Sequence, residues 1–282
     1  MIESPCDDLA MGADSTYTHA GYFPWICLLG IAGAETVTGH FNIHLGLIFH
    51  FILLAAILCR AVFSLHRLEM GIAEEGAPYH FYLSLALAPL IRILSLALPL
   101  KAIPLQYWYL FVGVPVLIAA WLLNKQIGFS RRDIYLCLGK GGLSPRGVAL
   151  QLAAGLTGFL IGFMEFYVIQ QPQMITSAWG DKLLLAVFLL LFAGFAEELI
   201  FRGVIRKAAD DFLGKELAVV YVSLAFASMY ISYLSLVYLF FVFGTAVIFT
   251  LIAHRTESLL GIALAHGLAA VTFLIIAPQL LV

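Results

Sequence analysis

Apolar segments of about membrane-spanning length follow one another along almost the whole chain. Of the 282 residues, 62% are hydrophobic and only 11% are charged, and a soluble domain of this size could not bury so much apolar surface. A bilayer core of about 30 Å needs roughly 20 apolar residues per helix. We therefore predict an all-α fold, a polytopic transmembrane helix bundle with eight or nine spans. The nine segments are Tyr22–Val37, Leu45–Leu65, Phe81–Leu100, Tyr107–Leu123, Gly147–Ile169, Leu183–Phe201, Leu217–Tyr233, Leu236–Ala253 and Ser258–Leu281.

The first segment is short and contains Glu35, so it is either a full span or a re-entrant or tilted partial span. The loop Asn124–Arg146 carries five basic residues, and Arg206, Lys207 and Lys215 fall on the same side. By the positive-inside rule this side is cytoplasmic. The N-terminus is then inside with nine spans and outside with eight, and both arrangements stay open.

The composition also limits the classes of partner that the chain is expected to bind. The sequence contains no basic block of the kind that would indicate a nucleic-acid partner. The four cysteines lie far apart and do not have the spacing of a zinc site or of a disulfide framework. We expect no metal and no cofactor, with the lipid bilayer as the surrounding partner. The first 20 residues hold four acidic residues but no Lys or Arg, unlike the basic region of a signal peptide. We expect a multi-pass protein of a prokaryotic plasma membrane.

A Gly- and Pro-rich loop at residues 139–146 divides the chain. Residues 1–138 are predicted to form N-terminal membrane helices, to which the sequence assigns no role. Residues 147–282 are predicted to form a helical core that carries the chemically informative polar residues. No internal repeat is visible in the sequence, which argues against a transporter, although proton coupling through intramembrane carboxylates is a third hypothesis.

The most informative polar residues are Glu197, Glu198 and Arg202, at the end of an apolar run. Charges inside a membrane are costly and mark functional sites. On a helix, Glu198 and Arg202 are four residues apart and can pair, whereas Glu197 is rotated by about 100°. One glutamate can thus be held by the arginine while the other is free to act as a general base on water. The alternative is a helix end whose charges reach the interface.

His266 is the second candidate, within the last apolar segment. Counting along the helix from Glu257 places it at about the same depth as Glu197, so the two side chains can meet. A histidine there can hold a water or donate to a developing oxyanion, or it is a packing residue.

Other polar and small residues receive structural interpretations. Arg92 is expected to pair with a carboxylate or to cap the bundle, and Glu165 is its candidate partner or part of a cavity. Three histidines are expected at the interface: His40, His44 and His50. Tyr107, Trp108 and Tyr109 are expected to form an interfacial aromatic belt. Four glycines are expected to allow close helix packing: Gly33, Gly155, Gly158 and Gly162.

Three motifs, in the same order along residues 147–282, resemble the CPBP family of membrane endopeptidases. This family comprises CAAX proteases and bacteriocin-processing enzymes, and includes the type 2 CAAX prenyl protease. Glu197-Glu198-x-x-x-Arg202 followed by Gly203 resembles its first and most specific motif. The segment 224–230 resembles its Phe-x-x-x-His motif, and the segment 255–266 resembles its last motif, which ends on a histidine.

The resemblance implies a glutamate-type intramembrane endopeptidase that works without a metal or cofactor. Glu197 would activate water, Glu198 and Arg202 would support it, and His266 would help to form the oxyanion site. Phe226, Tyr230 and Ala270 are expected to line the site. The implied substrates are peptides or proteins presented from the membrane, possible examples being prenylated C-terminal peptides.

Two positions depart from the family pattern. Tyr230 stands where the second motif has histidine, and Ala270 stands where the last motif continues to Asn or Asp. Tyrosine can donate a hydrogen bond but is not a base near pH 7, and losing one oxyanion donor costs a hydrolase about 10²–10³ in rate. The sequence therefore supports two main hypotheses: an endopeptidase with a reduced catalytic set, or a non-catalytic scaffold or regulator with the same fold.

Overall fold

The computed structural model describes residues 21–72, 76–99, 102–169 and 178–281, and these residues form helices and no strand. The all-α polytopic bundle predicted from the sequence is confirmed. The acidic N-terminal stretch lies outside the described residues. We number the nine helices of the described part as α1 Phe23–His40, α2 Ile43–Glu69, α3 Ala77–Ala97, α4 Leu105–Ile127, α5 Pro145–Ile169, α6 Trp179–Leu213, α7 Lys215–Ser228, α8 Leu236–Thr256 and α9 Leu260–Leu281.

Seven of these helices are long and apolar enough to cross a membrane, namely all except α1 and α7. The chain is thus a multi-pass integral membrane protein. The predicted segment Leu217–Tyr233 forms α7, which has 14 residues and at 1.5 Å per residue is shorter than a bilayer core. It ends at Ser228 because the chain turns through a short 3₁₀ segment, Ile231–Tyr233, to a left-handed residue, Leu234. The first segment forms α1, 18 residues long, with Glu35 buried.

Glycines bring α9 into direct contact with two other helices. A Cβ atom on Gly158 of α5 would overlap the backbone carbonyl of Ala265 on α9. A Cβ on Gly194 of α6 would lie 2.6 Å from the carbonyl oxygen of Ala263. Small residues allow this close approach of helices in membranes. His266 directly follows these contacts on α9 and is therefore fixed relative to α6. The packing prediction is wrong for Gly33, which has no neighbour within 4 Å of an added Cβ.

A buried charge network links α1, α2 and α3. Arg92 of α3 donates through Nε and Nη2 to both carboxylate oxygens of Glu35 on α1, with Nη2 2.8 Å from Oε2. His50 Nε2 of α2 lies 2.9 Å from Glu35 Oε1. The interfacial assignment of His50 is therefore wrong, because the side chain is fully buried on a carboxylate. Arg92 therefore pairs with Glu35 and not with Glu165. This pair gives the buried carboxylate of Glu35 the nearby cation that it needs.

The basic loops meet at one end of the bundle. Arg206, near the end of α6, donates to the carbonyl of Asp133 and lies over the Tyr135 ring at 3.7 Å. The backbone N–H of Lys140 donates to the carbonyl of Thr256 at the end of α8 (2.8 Å). The segments that the charge bias placed on one side of the membrane are thus neighbours, and the cytoplasmic assignment of that side stays a prediction.

Replacing Glu35 with Ala is expected to destabilise the protein by about 3–5 kcal/mol, because it leaves the Arg92 guanidinium buried without its carboxylate. Glu69→Ala, at the exposed end of α2, is the matched control and should leave stability unchanged. Thermal unfolding of the purified variants in detergent measures both effects. Equal melting temperatures for the two variants would contradict a structural role of the Glu35–Arg92 pair.

Candidate active site

The two adjacent glutamates lie in the middle of α6, between two π-helical stretches. Leu189–Ala196 precede them and Leu199–Ile205 follow them. A π-helix forms i→i+5 hydrogen bonds and is wider than an α-helix, and such turns occur frequently at functional sites. The apolar pattern of the sequence gave no signal for this widening. The widening places Glu197 and Glu198 at a local irregularity of α6, the longest of the described helices.

Glu198 is the centre of a buried hydrogen-bond network. Arg202 Nη1 donates to Glu198 Oε1 (3.0 Å), and His266 Nδ1 lies 2.8 Å from the same oxygen. Glu198 and Arg202 are both inaccessible to solvent. The i,i+4 pairing expected from the sequence is present, and it joins α6 to α9.

The Arg202 guanidinium is also held by aromatic rings. Its central carbon lies 4.3 Å from the centroid of the Phe226 ring and 6.0 Å from that of Phe249. These distances are within the range of cation–π attraction. The same two rings contact the imidazole of His266 edge to face, at centroid distances of 5.9 and 6.3 Å. Arg202 and His266 therefore have little freedom to move.

Glu197 is arranged differently from Glu198. About a quarter of its side chain is exposed, and its Oε2 lies 3.9 Å from Nε2 of His266. This separation is too long for a direct hydrogen bond, but one water can contact both atoms. Because Nδ1 of His266 faces Glu198 and Nε2 faces Glu197, the imidazole lies between the two carboxylates.

Each glutamate lines its own cavity. The cavity at Glu197 has a volume of about 160 Å³, and we call it the Glu197 cavity. The cavity at Glu198 has a volume of about 40 Å³, room for a few waters. Glu165 also lines the smaller cavity and accepts a hydrogen bond from the Tyr238 hydroxyl (2.6 Å). Tyr230 lines both cavities.

Tyr230 lies in the turn that follows the early end of α7, between α7 and the 3₁₀ segment. Phe226 lines the smaller cavity. Ala270, also expected to line the site, is among the residues of neither cavity and packs against an apolar cluster that includes Leu189. The residue of α9 that lines the smaller cavity together with His266 is Ala269.

The N-terminal helices contribute to the wall of the Glu197 cavity. Trp108 and Tyr109 of α4, which the sequence placed in an interfacial aromatic belt, line this cavity together with Arg92 of α3. The intramembrane charge of Arg92 was the only sequence signal for a polar residue at this wall. In the described part of the chain, no group of three or more His, Cys, Asp or Glu is arranged to hold a metal ion.

Comparison with known proteins supports the family resemblance. Residues 178–272, about a third of the chain, match the family model described as type II CAAX prenyl endopeptidase Rce1-like. The matched segment includes both glutamates, Arg202, Tyr230 and His266. No curated protein and no solved structure gave a significant match. The match supports assignment of the chain to the CAAX protease family, and over residues 178–272 the chain is similar to that family of membrane endopeptidases.

Arg202→Ala should lower the free energy of unfolding by about 3–5 kcal/mol, because Glu198 would remain buried without its cation. Lys207→Ala is a matched control on the same helix, since Lys207 forms an i,i+4 pair with Asp211 that is partly exposed. Such a pair contributes less than about 1 kcal/mol. Thermal unfolding in detergent distinguishes the two variants, and an unchanged melting temperature for Arg202→Ala would mean that the pair is solvated.

Proposed function

We propose that the protein is a glutamate-type intramembrane endopeptidase in which Glu197 activates the hydrolytic water. The observation that supports this proposal most is that the two glutamates have different contacts. Glu198 is occupied by Arg202 and His266, whereas Glu197 lies 3.9 Å from His266 and borders a cavity with room for one apolar side chain. A carboxylate in that position can accept a proton from water.

In the proposed reaction, a water contacts Glu197 Oε2 and His266 Nε2, and Glu197 takes its proton. The hydroxide attacks the carbonyl carbon of the scissile peptide, giving a tetrahedral intermediate with a negative oxygen. Glu197 then returns the proton to the leaving nitrogen, and the C–N bond breaks to give a carboxylate and an amine. Glu198, held by Arg202, keeps His266 in place.

Donors near the cavities would stabilise the negative oxygen of the intermediate. His266 donates through Nε2 whenever both of its nitrogens carry protons, and the Tyr230 hydroxyl is a second donor at the border of both cavities. In this proposal Tyr230 supplies a hydrogen bond in place of the family histidine, but no basic group.

The proposed substrates are peptides or protein termini presented from the membrane, including prenylated C-terminal peptides. The basic loops at the α6 and α8 ends favour a cytoplasmic location for the neighbouring face of the site. A prokaryotic plasma membrane is the proposed location.

A second candidate function is a non-catalytic membrane scaffold or regulator with the same fold. Two observations favour it: Tyr230 cannot replace a histidine as a base near pH 7, and Ala270 supplies no polar group to either cavity. A partner protein would then bind where a substrate binds in an enzyme.

Glu197→Gln is expected to reduce cleavage by about 10²–10⁴-fold or more, because the amide cannot accept the proton of water. Wild type and variant are incubated with a prenylated CAAX-type peptide and a mixed pool of membrane peptides, and mass spectrometry identifies new ends. Glu216→Gln, an exposed glutamate at the start of α7, is the control and should cleave like wild type. Cleavage that persists in Glu197→Gln would overturn the assignment of the general base.

The double variant Tyr230→His/Ala270→Asn should cleave faster than wild type if the site is a reduced form of the family's. The cleavage rate should rise towards the factor of about 10²–10³ that one oxyanion donor contributes. Initial rates with the same peptides, beside each single variant, provide the measurement. A folded double variant without any gain would mean that the surrounding geometry no longer accommodates those side chains.

A further inference from the structure

The Glu197 cavity is built largely by helices that lie outside the family-matched segment. Eight of its lining residues come from α3 and α4: Ile91, Arg92, Ser95, Trp108, Tyr109, Val112, Gly113 and Val116. Trp108, Val112 and Val116 follow at intervals of four, so they share one face of α4. A Cβ on Gly113 would overlap the ring of Phe192, so α4 lies directly against α6 about one turn before Glu197.

The indole nitrogen of Trp108 is a buried donor without an acceptor among the described residues. An indole N–H can only donate, and buried tryptophans usually have a partner for it. The other two unpartnered buried atoms of the site, Glu198 Oε2 and Arg202 Nε, belong to residues of the smaller cavity. Of the buried side-chain atoms that have no hydrogen-bond partner among the described residues, Trp108 Nε1 is the one whose residue lines the Glu197 cavity.

Arg92 is a weaker candidate for contacting a ligand. Its guanidinium donates to both oxygens of Glu35 and to the hydroxyls of Ser95 and Ser232. Its charge is balanced by Glu35, so Arg92 supports the cavity wall. Trp108, in contrast, carries a fixed and unused hydrogen-bond donor.

The rest of the cavity wall is mainly apolar or aromatic. Ile91, Val112, Val116, Phe192 and Met229 contribute to it. Its volume of about 160 Å³ is close to that of an engineered apolar cavity of about 150 Å³ that binds benzene. The space therefore fits one apolar side chain of about that size.

We propose that this cavity is a substrate subsite in which Trp108 donates its indole N–H to a backbone carbonyl oxygen of the peptide. An apolar side chain of the same peptide fills the space between α3, α4 and α6. This proposal rests on the proposed peptidase function for its ligand class. It gives the N-terminal helices a role, because they bind the substrate beside the carboxylate that activates water.

Binding is tested without any need for cleavage. The probe is N-acetyl-4-bromophenylalanine amide, whose bromine quenches the fluorescence of an indole in contact with it. The exposed indoles of Trp121 and Trp179 are first removed by replacement with Phe, which leaves Trp25 and Trp108. Saturable quenching is expected in this background. Its loss on adding Trp108→Phe, while Trp25 remains, assigns the quenched indole.

Filling the cavity provides a matched pair of variants on one helix. Val112→Phe places a ring in the cavity and should abolish saturable quenching, whereas Val114→Phe lies on the exposed face of α4 and should leave it unchanged. Val116→Phe is a second filling variant if Val112→Phe does not fold. Equal quenching in folded filled variants and in the control would overturn the subsite.

Kinetics test the hydrogen bond itself. Trp108→Phe keeps an aromatic ring but removes the donor, and it should raise KM by about three- to tenfold with little change in kcat, the range for one hydrogen bond. Trp121→Phe, on the lipid-facing side of α4, should leave both constants unchanged. An unchanged KM in Trp108→Phe would overturn the donor assignment.

The two proposals fail in different ways. If wild type and Glu197→Gln cleave no tested peptide but saturable quenching depends on Trp108 and Val112, the peptidase proposal fails and the subsite stands. If cleavage depends on Glu197 but neither KM nor quenching depends on Trp108, the peptidase proposal stands and the subsite fails.

Discussion

The cost of an unpaired charge in a medium of low dielectric governs this structure. Glu198 and Arg202 are buried together in α6, and each satisfies the charge of the other. The same carboxylate oxygen contacts His266, so the pair also fixes the position of α9 and the orientation of the imidazole. Glu197 is one residue away but points to another cavity. The ion pair of one glutamate thereby leaves its neighbour available for the role that we propose for it.

A second buried network has a similar role in the N-terminal helices. Glu35, His50 and Arg92 join α1, α2 and α3, and Arg92 also forms part of the wall of the Glu197 cavity. The main apolar core contains residues of both parts of the chain, including Phe81 and Phe201. The helices before residue 139 thus form one packed body with those that carry the glutamates. The cavity lies where these two parts meet, and it needs both.

The sequence was sufficient to predict the helical membrane fold and the pairing of Glu198 with Arg202, because apolar segment length and i,i+4 spacing are local properties. It also predicted that His266 can meet the glutamates, from depth along two helices. It did not predict the partner of Arg92, the burial of His50 or the role of Trp108, since these depend on which helices are neighbours. The early end of α7 and the π-helical turns around Glu197 have no clear apolar pattern, and they position Tyr230 and Glu197 at the cavities.

Glu198 is held in an ion pair with Arg202, whereas Glu197 borders a cavity and lies 3.9 Å from its nearest ionic partner, His266. This difference can be measured by labelling the purified wild-type protein with dicyclohexylcarbodiimide, an apolar reagent for carboxyl groups, and mapping the modified peptides by mass spectrometry. We expect an adduct on Glu197 and none on Glu198. An adduct on Glu198, with Glu197 unmodified, would contradict the assignment of the two roles.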